Sequence, residues 1–552
     1  MSDTKMEEGR TETVENIKEH GEHHGQEYAT GTVQLIDSKH VVLIPTPSRD
    51  PYDPLNLPEW RKNLIVLIIG MYSAFAVLAT SGMGAIAPVV TAMYPHDDPA
   101  RVTDLLTSPT LFMGVGNLFA MPLADAVGRR PVFLGSLALS IVAGVWCACS
   151  GSSLKSHIAA RDILSMAAGQ SEALTALIVQ EVCFVHQRAT KGTWNAAIQG
   201  SVCGAMFVAT TYLVPAWGLK WWYGIITIVN AIILVFAVLF VPETLYQRVV
   251  EDYVSARILT PESSSTDGET HEANSTSDGA KVERVTTTAN HTLDHVRYSA
   301  RTWRRDLRVF HAAPRWRMMG TLYQDAAKGL TVPTIMWLLV LNGAFLGVYV
   351  FQSSTFAGIL LAPPFGLASE WLGFVQLSLI VANFVAVPIV GYGSDYLIKL
   401  ASRVDKGVYE PEFRLLTGIL PAIAAVLSCV IYGQTGAHAA TSPQWSSWAG
   451  IAVPYAMGYA AFLGANTVGI TYVLDSWPRE AGALLLVVAA GRGFISFGLG
   501  YATAPSVDRL GYDGASNLYA VVCGVVSVLG VPAFFWGKRV RHWTLRHYWP
   551  VE

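Results

Sequence analysis

Apolar runs of membrane-spanning length alternate along this chain with short polar stretches. A helix of roughly 20 apolar residues crosses a hydrocarbon core of about 30 Å, and twelve such runs can be read in the sequence. Six lie near 64–88, 105–123, 132–150, 158–180, 195–215 and 222–241, and six near 335–360, 371–392, 414–433, 447–473, 482–505 and 516–537. Between the two sets stands a polar stretch with a Ser/Thr-rich tract at 262–290 and the basic cluster Arg301, Arg304, Arg305 and Arg308. Backbone polar groups in hydrocarbon must be satisfied within the protein, so runs of this length are read as helices. The pattern predicts an all-α polytopic membrane protein with helices 1 to 12 in two six-helix bundles, at 63–241 and 334–537. A tail and interfacial linker (1–62), a central loop (242–333) and a C-terminal tail (538–552) complete it.

Composition narrows the class. Of the 552 residues 52% are hydrophobic and only 14% charged, against about 25% charged in soluble domains, and mean hydropathy is +0.36. A net charge of -3, with no basic stripe interleaved with aromatics, argues against a nucleic-acid partner. Cys147, Cys149, Cys183, Cys203, Cys429 and Cys523 fall in or beside apolar runs without metal-site spacing and are read as buried thiols. The first 40 residues lack the charged start and short apolar core of a cleaved signal, so helix 1 is expected to act as the signal. Prolines at 45–58 forbid a regular helix, and Trp60, Arg61 and Lys62 suit an interfacial anchor on a linker lying along the membrane.

Basic residues assign sides. The loops after helices 2, 4, 8 and 10 and the C-terminal end carry Arg129, Arg130, Arg188, Lys191, Lys399, Arg403, Lys406, Arg414, Arg479, Lys538, Arg539 and Arg541. The other loops hold isolated Arg101, Lys155, Lys220 and Arg509. Short loops rich in Lys and Arg are retained in the cytosol, so both termini are expected there, in a cell-membrane protein. The sequons at Asn274 and Asn290 then fall in a cytosolic loop and are expected to stay unmodified.

Residues 116–131, GNLFAMPLADAVGRRP, form a turn that cannot lie in hydrocarbon. The pattern Asp125, Gly128, Arg129, Arg130 resembles the signature that major facilitator superfamily transporters carry between helices 2 and 3, with Met121 where the superfamily has glycine. An echo follows helix 8, where GYGSDYLIKLASR puts Asp395 in the place of Asp125 without the Gly-Arg-Arg core. The runs DPYDPLNLPEWRK, FVHQR, VPETLYQR, APPFGLASEWLG and TYVLDSWPREAGA extend the resemblance to fungal drug:proton antiporter-like transporters, a branch that includes histidinol and polyamine permeases. The resemblance implies two bundles around a central cavity worked by alternating access. It also implies that Glu243 at the end of helix 6 is a partner for the Asp125, Arg129 and Arg130 gate.

Ionisable and amide groups inside spans are costly and mark function or pairing. On helix 4, Arg161 and Glu172 stand eleven residues apart, which puts them on one face of a continuous helix, separated by roughly 16 Å along its axis. Related fungal permeases carry an arginine and a glutamate at this spacing, though Leu164 and Ser165 replace the usual Gln-Gly. A midplane carboxylate whose access to water alternates between two sides can change its charge as it does so, which makes Glu172 the candidate for proton coupling or for binding a cation, with a structural pair to a neighbouring helix as the alternative. Arg161 is a candidate for orienting the relay, binding an anion or pairing elsewhere. Asp162 and Glu181 are read as solvated or interfacial. Asn342, Tyr349 and Gln352 on helix 7 and Tyr455, Tyr459 and Asn466 on helix 10 are substrate-contact candidates by resemblance, and interhelical hydrogen-bond formers by spacing alone. Asp475 and Arg492, flanking the turn between helices 10 and 11, are read as a structural ion pair.

No zinc-protease motif, nucleophile elbow or nucleotide-binding loop is present, so neither an enzyme nor a primary pump is expected, and no cofactor or metal. The expectation is a monomeric secondary active transporter moving a small organic solute, driven by protons, with efflux of a metabolite or toxin preferred. Uptake of a small amine or cation such as a polyamine is the alternative, and a non-transporting sensor on a transporter fold is the reading from another class.

Overall fold

The computed structural model describes residues 48–246 and 298–549, except 98, 152, 312, 369–370, 395, 398–399, 401–407, 440 and 442–446, together with two-residue strands between 33 and 41. Asp395, Asn274, Asn290, Lys399, Arg403 and Lys406 lie outside the described residues. Helices dominate. Among the described residues the strands are confined to Val33–Gln34 paired with Val408–Tyr409 and Ile36–Asp37 paired with His40–Val41.

Helices 1 to 3 are Glu59–Ser81, Pro99–Val127 and Arg129–Cys149. Helix 4 is broken: Leu154–Ala168 passes through a 3-10 turn, Gly169–Ser171, into Ala173–Val182. Helices 5 and 6 are the halves, 185–217 and 219–240, of one stretch bent at Gly218, where φ is +80°. Helices 7 and 8 are Pro333–Leu361 and Leu372–Ala386, the latter continued by a π-helical turn to Tyr392. Helix 9 is Ile419–His438, entered through the 3-10 turn Pro411–Gly418. Helices 10 and 11 are Ala449–Ser476 and Ala481–Tyr501, and helix 12 runs from 512 to 528 and on into Gly530–His547. Among the described residues ten stretches are each long and apolar enough to span. The bend at Gly218 divides one of them, and broken helix 4 completes the twelve.

Several boundaries move from those expected. Helix 1 begins at Glu59, so Arg61 and Lys62 lie in its first turn and are buried, while Trp60 stays exposed. Gly82 and Gly84 stop it before 88, and the chain continues as a short helix, Ala87–Met93. The linker at 48–57 folds on itself. Asp53 caps the 3-10 turn Pro54–Asn56 through Leu55 N–H (3.0 Å) and also accepts from Ser48 N–H (2.9 Å). Five cysteines are buried as expected, but Cys149, at the end of helix 3, is exposed.

The linker, the central-loop return and the C-terminal helix meet on one side of the bundles, here termed the terminal face. Tyr246 Oη donates to Asp50 (3.1 Å), Arg301 to the Pro51 carbonyl (3.4 Å), and Lys328 to the Tyr548 carbonyl (3.2 Å). The bundles touch along helices 2 and 11 and along helices 5 and 8. A Cβ added to Gly493 would lie 3.0 Å from Gly114 Cα and 3.1 Å from the Thr110 carbonyl oxygen, so helices 2 and 11 are in backbone contact there. Buried Met121 does not keep them apart. At the opposite face helices 1 and 7 close up, with a Cβ at Gly84 falling 3.0 Å from the Ser353 carbonyl oxygen.

A side chain forced into the contact between helices 2 and 11 has no room to relax. Gly493→Val is expected to destabilise the protein by about 1–3 kcal/mol, the usual range for overpacking, read as a lower thermal midpoint in detergent. An unchanged midpoint would show that the two helices do not meet at this point.

Candidate functional site

The turn after helix 2 builds a cluster of charged groups on the terminal face. Gly128 sits at φ +120°, ψ 158°, a conformation that only glycine adopts cheaply, and a Cβ there would lie 2.4 Å from Glu243 Oε2. This turn lets the Glu243 carboxylate cap helix 3. It accepts from Arg129 N–H (2.9 Å) and Arg130 N–H (3.2 Å), and also from Thr244 N–H and Leu245 N–H, each at 3.0 Å. An anion at a helix N-terminus is favoured by the orphan N–H groups and the helix dipole. The expected partnership of Glu243 with this turn is therefore present, but through backbone amides.

The two arginines then divide the work. Arg129 pairs with Asp125 on its own turn and with Glu181 of helix 4 (3.1 Å), and Thr244 donates to the other Glu181 oxygen (2.6 Å). Glu181, at the interfacial end of helix 4, is thus a paired member of this cluster. The Arg130 guanidinium donates to the carbonyls of Val241, Val238 (2.7 Å) and Leu307 (3.3 Å), tying helix 6 to the returning loop. Asp125 faces the start of helix 11, with a Cβ at Gly482 falling 3.5 Å from its carboxylate.

The second half carries a counterpart that spacing did not reveal. Buried Arg414, entering helix 9, pairs with Asp475 of helix 10, and buried Arg541 pairs with Glu410 (2.8 Å) and Glu412 (3.1 Å). Asp475 therefore does not pair with Arg492. Arg492 is nearly three turns into helix 11, inside the membrane span, whereas Asp475 stays at the terminal face.

Between the bundles lies a cavity of about 160 Å³ walled by helices 1, 2, 4, 5, 7, 10 and 11. It runs from Thr80, Ser81 and Val350 toward the opposite face down to Gln180, Thr471 and Leu474 toward the terminal face. Among the described residues its charged wall groups are Glu172 and Arg492 alone, and they form an ion pair that joins helix 4 of one bundle to helix 11 of the other. Arg492 also donates to Asn466 Oδ1 (2.6 Å) and stands 5.7 Å from the Phe462 ring centroid. Tyr349 meets Tyr459 and Tyr455 ring to ring at 5.3 and 5.8 Å, and Phe462 at 6.4 Å.

The structure sorts the candidates. Glu172, Tyr349, Tyr459 and Asn466 line the cavity. Tyr455 turns away to donate to Gln376 (3.1 Å), Gln352 donates to Ser428 (2.7 Å), and Asn342 donates to its own helix at Leu338 O (3.0 Å). Tyr455 and Gln352 thereby join helices of the second bundle, while Asn342 is satisfied within helix 7. Arg161 is buried outside the cavity wall, donating to Thr80 O (2.7 Å) and Tyr223 Oη (3.3 Å), beside a chain in which His157 bridges Tyr94 (2.9 Å) and Tyr223 (2.8 Å). The shared face expected for Arg161 and Glu172 fails because three residues of 3-10 helix turn about 120° each instead of about 100°, and Glu172 follows at φ -117°. Carbonyls near the break are taken by Tyr72 (to Ala167 O, 2.8 Å), Ser73 and Thr175 (to Ser171 O, 2.8 and 2.7 Å).

Removing Arg129 leaves the Asp125 and Glu181 carboxylates without their cation, a loss of about 1–3 kcal/mol for the gate. Arg129→Ala is expected to favour opening at the terminal face, read as faster thiol labelling of Val179→Cys in the cavity wall from that side. Unchanged labelling would reduce the turn to a topological anchor.

Comparison with known proteins agrees with this architecture. The profile of the Major Facilitator Superfamily matches residues 69–501. Protein HOL1 of Saccharomyces cerevisiae is 22% identical, covering 93% of this chain and 92% of its own length. Efflux pump radE of Floropilus chiversii is 21% identical over 89% of this chain and 83% of its own, and the vitamin B6 transporter bsu1 of Schizosaccharomyces pombe is 26% identical over 41% of each. In fold, the human organic anion transporter MFSD10 (TETRAN) superposes with a TM-score of 0.50 at 13% identity, covering 86% of this chain and 99% of its own. The twelve-helix two-bundle architecture and this match over most of the chain make it a member of the Major Facilitator Superfamily.

Proposed function

We propose that this chain is a proton-coupled secondary transporter that exports a small, largely uncharged organic solute by alternating access, with Glu172 as the coupling group. The observation that carries the reading is the Glu172–Arg492 pair, which spans the two bundles inside the cavity. Arginine keeps its charge at any working pH, so the charge state of the pair is set by Glu172. A proton on Glu172 removes the attraction between the bundles and shifts the balance between access states. Solute and proton then act on the same seam.

Export is favoured by the rest of the wall, where Tyr349, Tyr459 and Phe462 stand among amides and hydroxyls such as Asn117, Asn195 and Gln199. Such a surface suits a ring-bearing solute. A polyamine needs several carboxylates, and among the described wall residues Glu172 is the sole acid and is already matched by Arg492. A cell-membrane location with the terminal face toward the cytosol is supported by the basic loops on that side.

The test uses the full chain in vesicles under an imposed pH gradient without ATP, offered a panel of aromatic metabolites and, separately, spermidine. Gradient-driven movement of an aromatic solute is expected, abolished by protonophore. Glu172→Gln should retain solute binding and lose accumulation, because it keeps size and hydrogen bonding but cannot titrate. Transport indifferent to gradient collapse would overturn proton coupling, and spermidine movement in place of the aromatic panel would overturn the export reading in favour of amine uptake.

A further inference from the structure

The stretch 298–317 returns from the central loop and wraps the terminal face of the first bundle from helix 6 toward helix 2. It holds Arg301, Arg304, Arg305, Arg308, Arg315 and Arg317 against one acid, Asp306. That acid is already taken by Arg61 (2.8 Å) and Arg301 (3.0 Å). Arg304, Arg308 and Arg317 are exposed and have no acidic partner among the described residues. The excess positive charge therefore faces outward.

Its level relative to hydrocarbon is set by Trp303. This ring packs edge-on against Phe240, the last residue of helix 6, at 5.8 Å, and Phe240 stacks on Phe236. Phe236 and Trp303 are 46% and 49% exposed, so they continue the lipid-facing side of helix 6 out to the loop. Tryptophan at that position sits at headgroup depth. Phe310 and Trp316, 60% and 62% exposed, repeat the arrangement farther along the segment. Cationic groups flanking exposed aromatic rings match the phosphate and carboxylate groups of anionic lipids in charge.

The segment is also wired to the gate. Its Leu307 carbonyl accepts from Arg130, Arg315 N–H donates to Ala126 O (2.8 Å) at the end of helix 2, and Tyr323 donates to Leu118 O (2.7 Å). We infer that Arg304, Arg308 and Arg317, with the rings of Trp303, Phe310 and Trp316, form a binding site for anionic phospholipid headgroups of the adjacent leaflet, and that an occupied site holds the terminal-face gate together. The lipid takes the place of the acidic residues that this basic segment lacks.

The test follows thermal unfolding of the purified full chain in neutral detergent during titration with dioctanoyl phosphatidylserine, dioctanoyl phosphatidylcholine or inorganic phosphate. Phosphatidylserine is expected to raise the midpoint, in a manner lost at high salt, while phosphatidylcholine and phosphate leave it unchanged. Each arginine near a charged surface is worth roughly fivefold in affinity, so R304Q/R308Q/R317Q should shift the half-effect concentration more than tenfold. The same three positions changed to lysine should respond like the parent, as should R539Q/R546Q on the last helix. Equal effects of the two lipids, full reproduction by phosphate, an unaltered response of the glutamine variant, or equal loss in R539Q/R546Q would each overturn the site. If the glutamine variant fails to fold, the lysine variant and the salt dependence of the parent decide by the same criteria.

Discussion

A charge held away from water must find its opposite close by, and in this protein the pair that meets this demand at the centre of the molecule is Glu172 with Arg492. Taking away one partner of such a pair leaves the other uncompensated, typically at about 3–5 kcal/mol. The surrounding structure is arranged to present the two groups. The 3-10 turn in helix 4 aims Glu172 into the cavity, hydroxyls of helix 1 take up carbonyls near the break, and Asn466 with Phe462 fixes the guanidinium. Because the partners belong to different bundles, bundle position and charge state are physically linked.

The same demand shapes the terminal face, where the two halves share an arginine that binds acids and differ in the sign of the group returning from the last helix. In the first half, Arg129 at the start of helix 3 binds acids from helices 2 and 4, and Glu243 after helix 6 caps helix 3. In the second, Arg414 before helix 9 binds Asp475 of helix 10, but the residue returning from the last helix is a cation, Arg541, held by Glu410 and Glu412. Repeated halves explain the shared plan. Each charge survives burial because its neighbour reverses with it.

Hydrogen bonding divides the remaining intramembrane polar groups by purpose. Gln352, Asn342 and Tyr455 spend their donors on carbonyl, hydroxyl and amide acceptors within the second bundle, and Arg161 spends two on Thr80 and Tyr223. All of these but the Asn342 bond are interhelical, and such bonds stiffen a bundle that has little hydrophobic driving force in lipid. Tyr349, Tyr459 and Asn466 differ only in facing the cavity, where a solute can reach them.

The succession of apolar runs, the polar turn at 116–131 and the lone midplane carboxylate were legible from residue order, because hydrocarbon thickness and the cost of exposed charge act on each segment by itself. Glu243 was named as a partner of the turn carrying Asp125, Arg129 and Arg130 through resemblance alone. The partners of Arg492 and Asp475, the pairing of Glu181 with Arg129 and the separation of Arg161 from Glu172 were not legible in residue order. Spacing along a chain predicts a shared face only while the helix keeps 3.6 residues per turn, and helix 4 abandons that period just before Glu172. The ion pairs join segments distant in sequence, and which carboxylate meets which guanidinium depends on how two bundles pack, a quantity that no single helix contains.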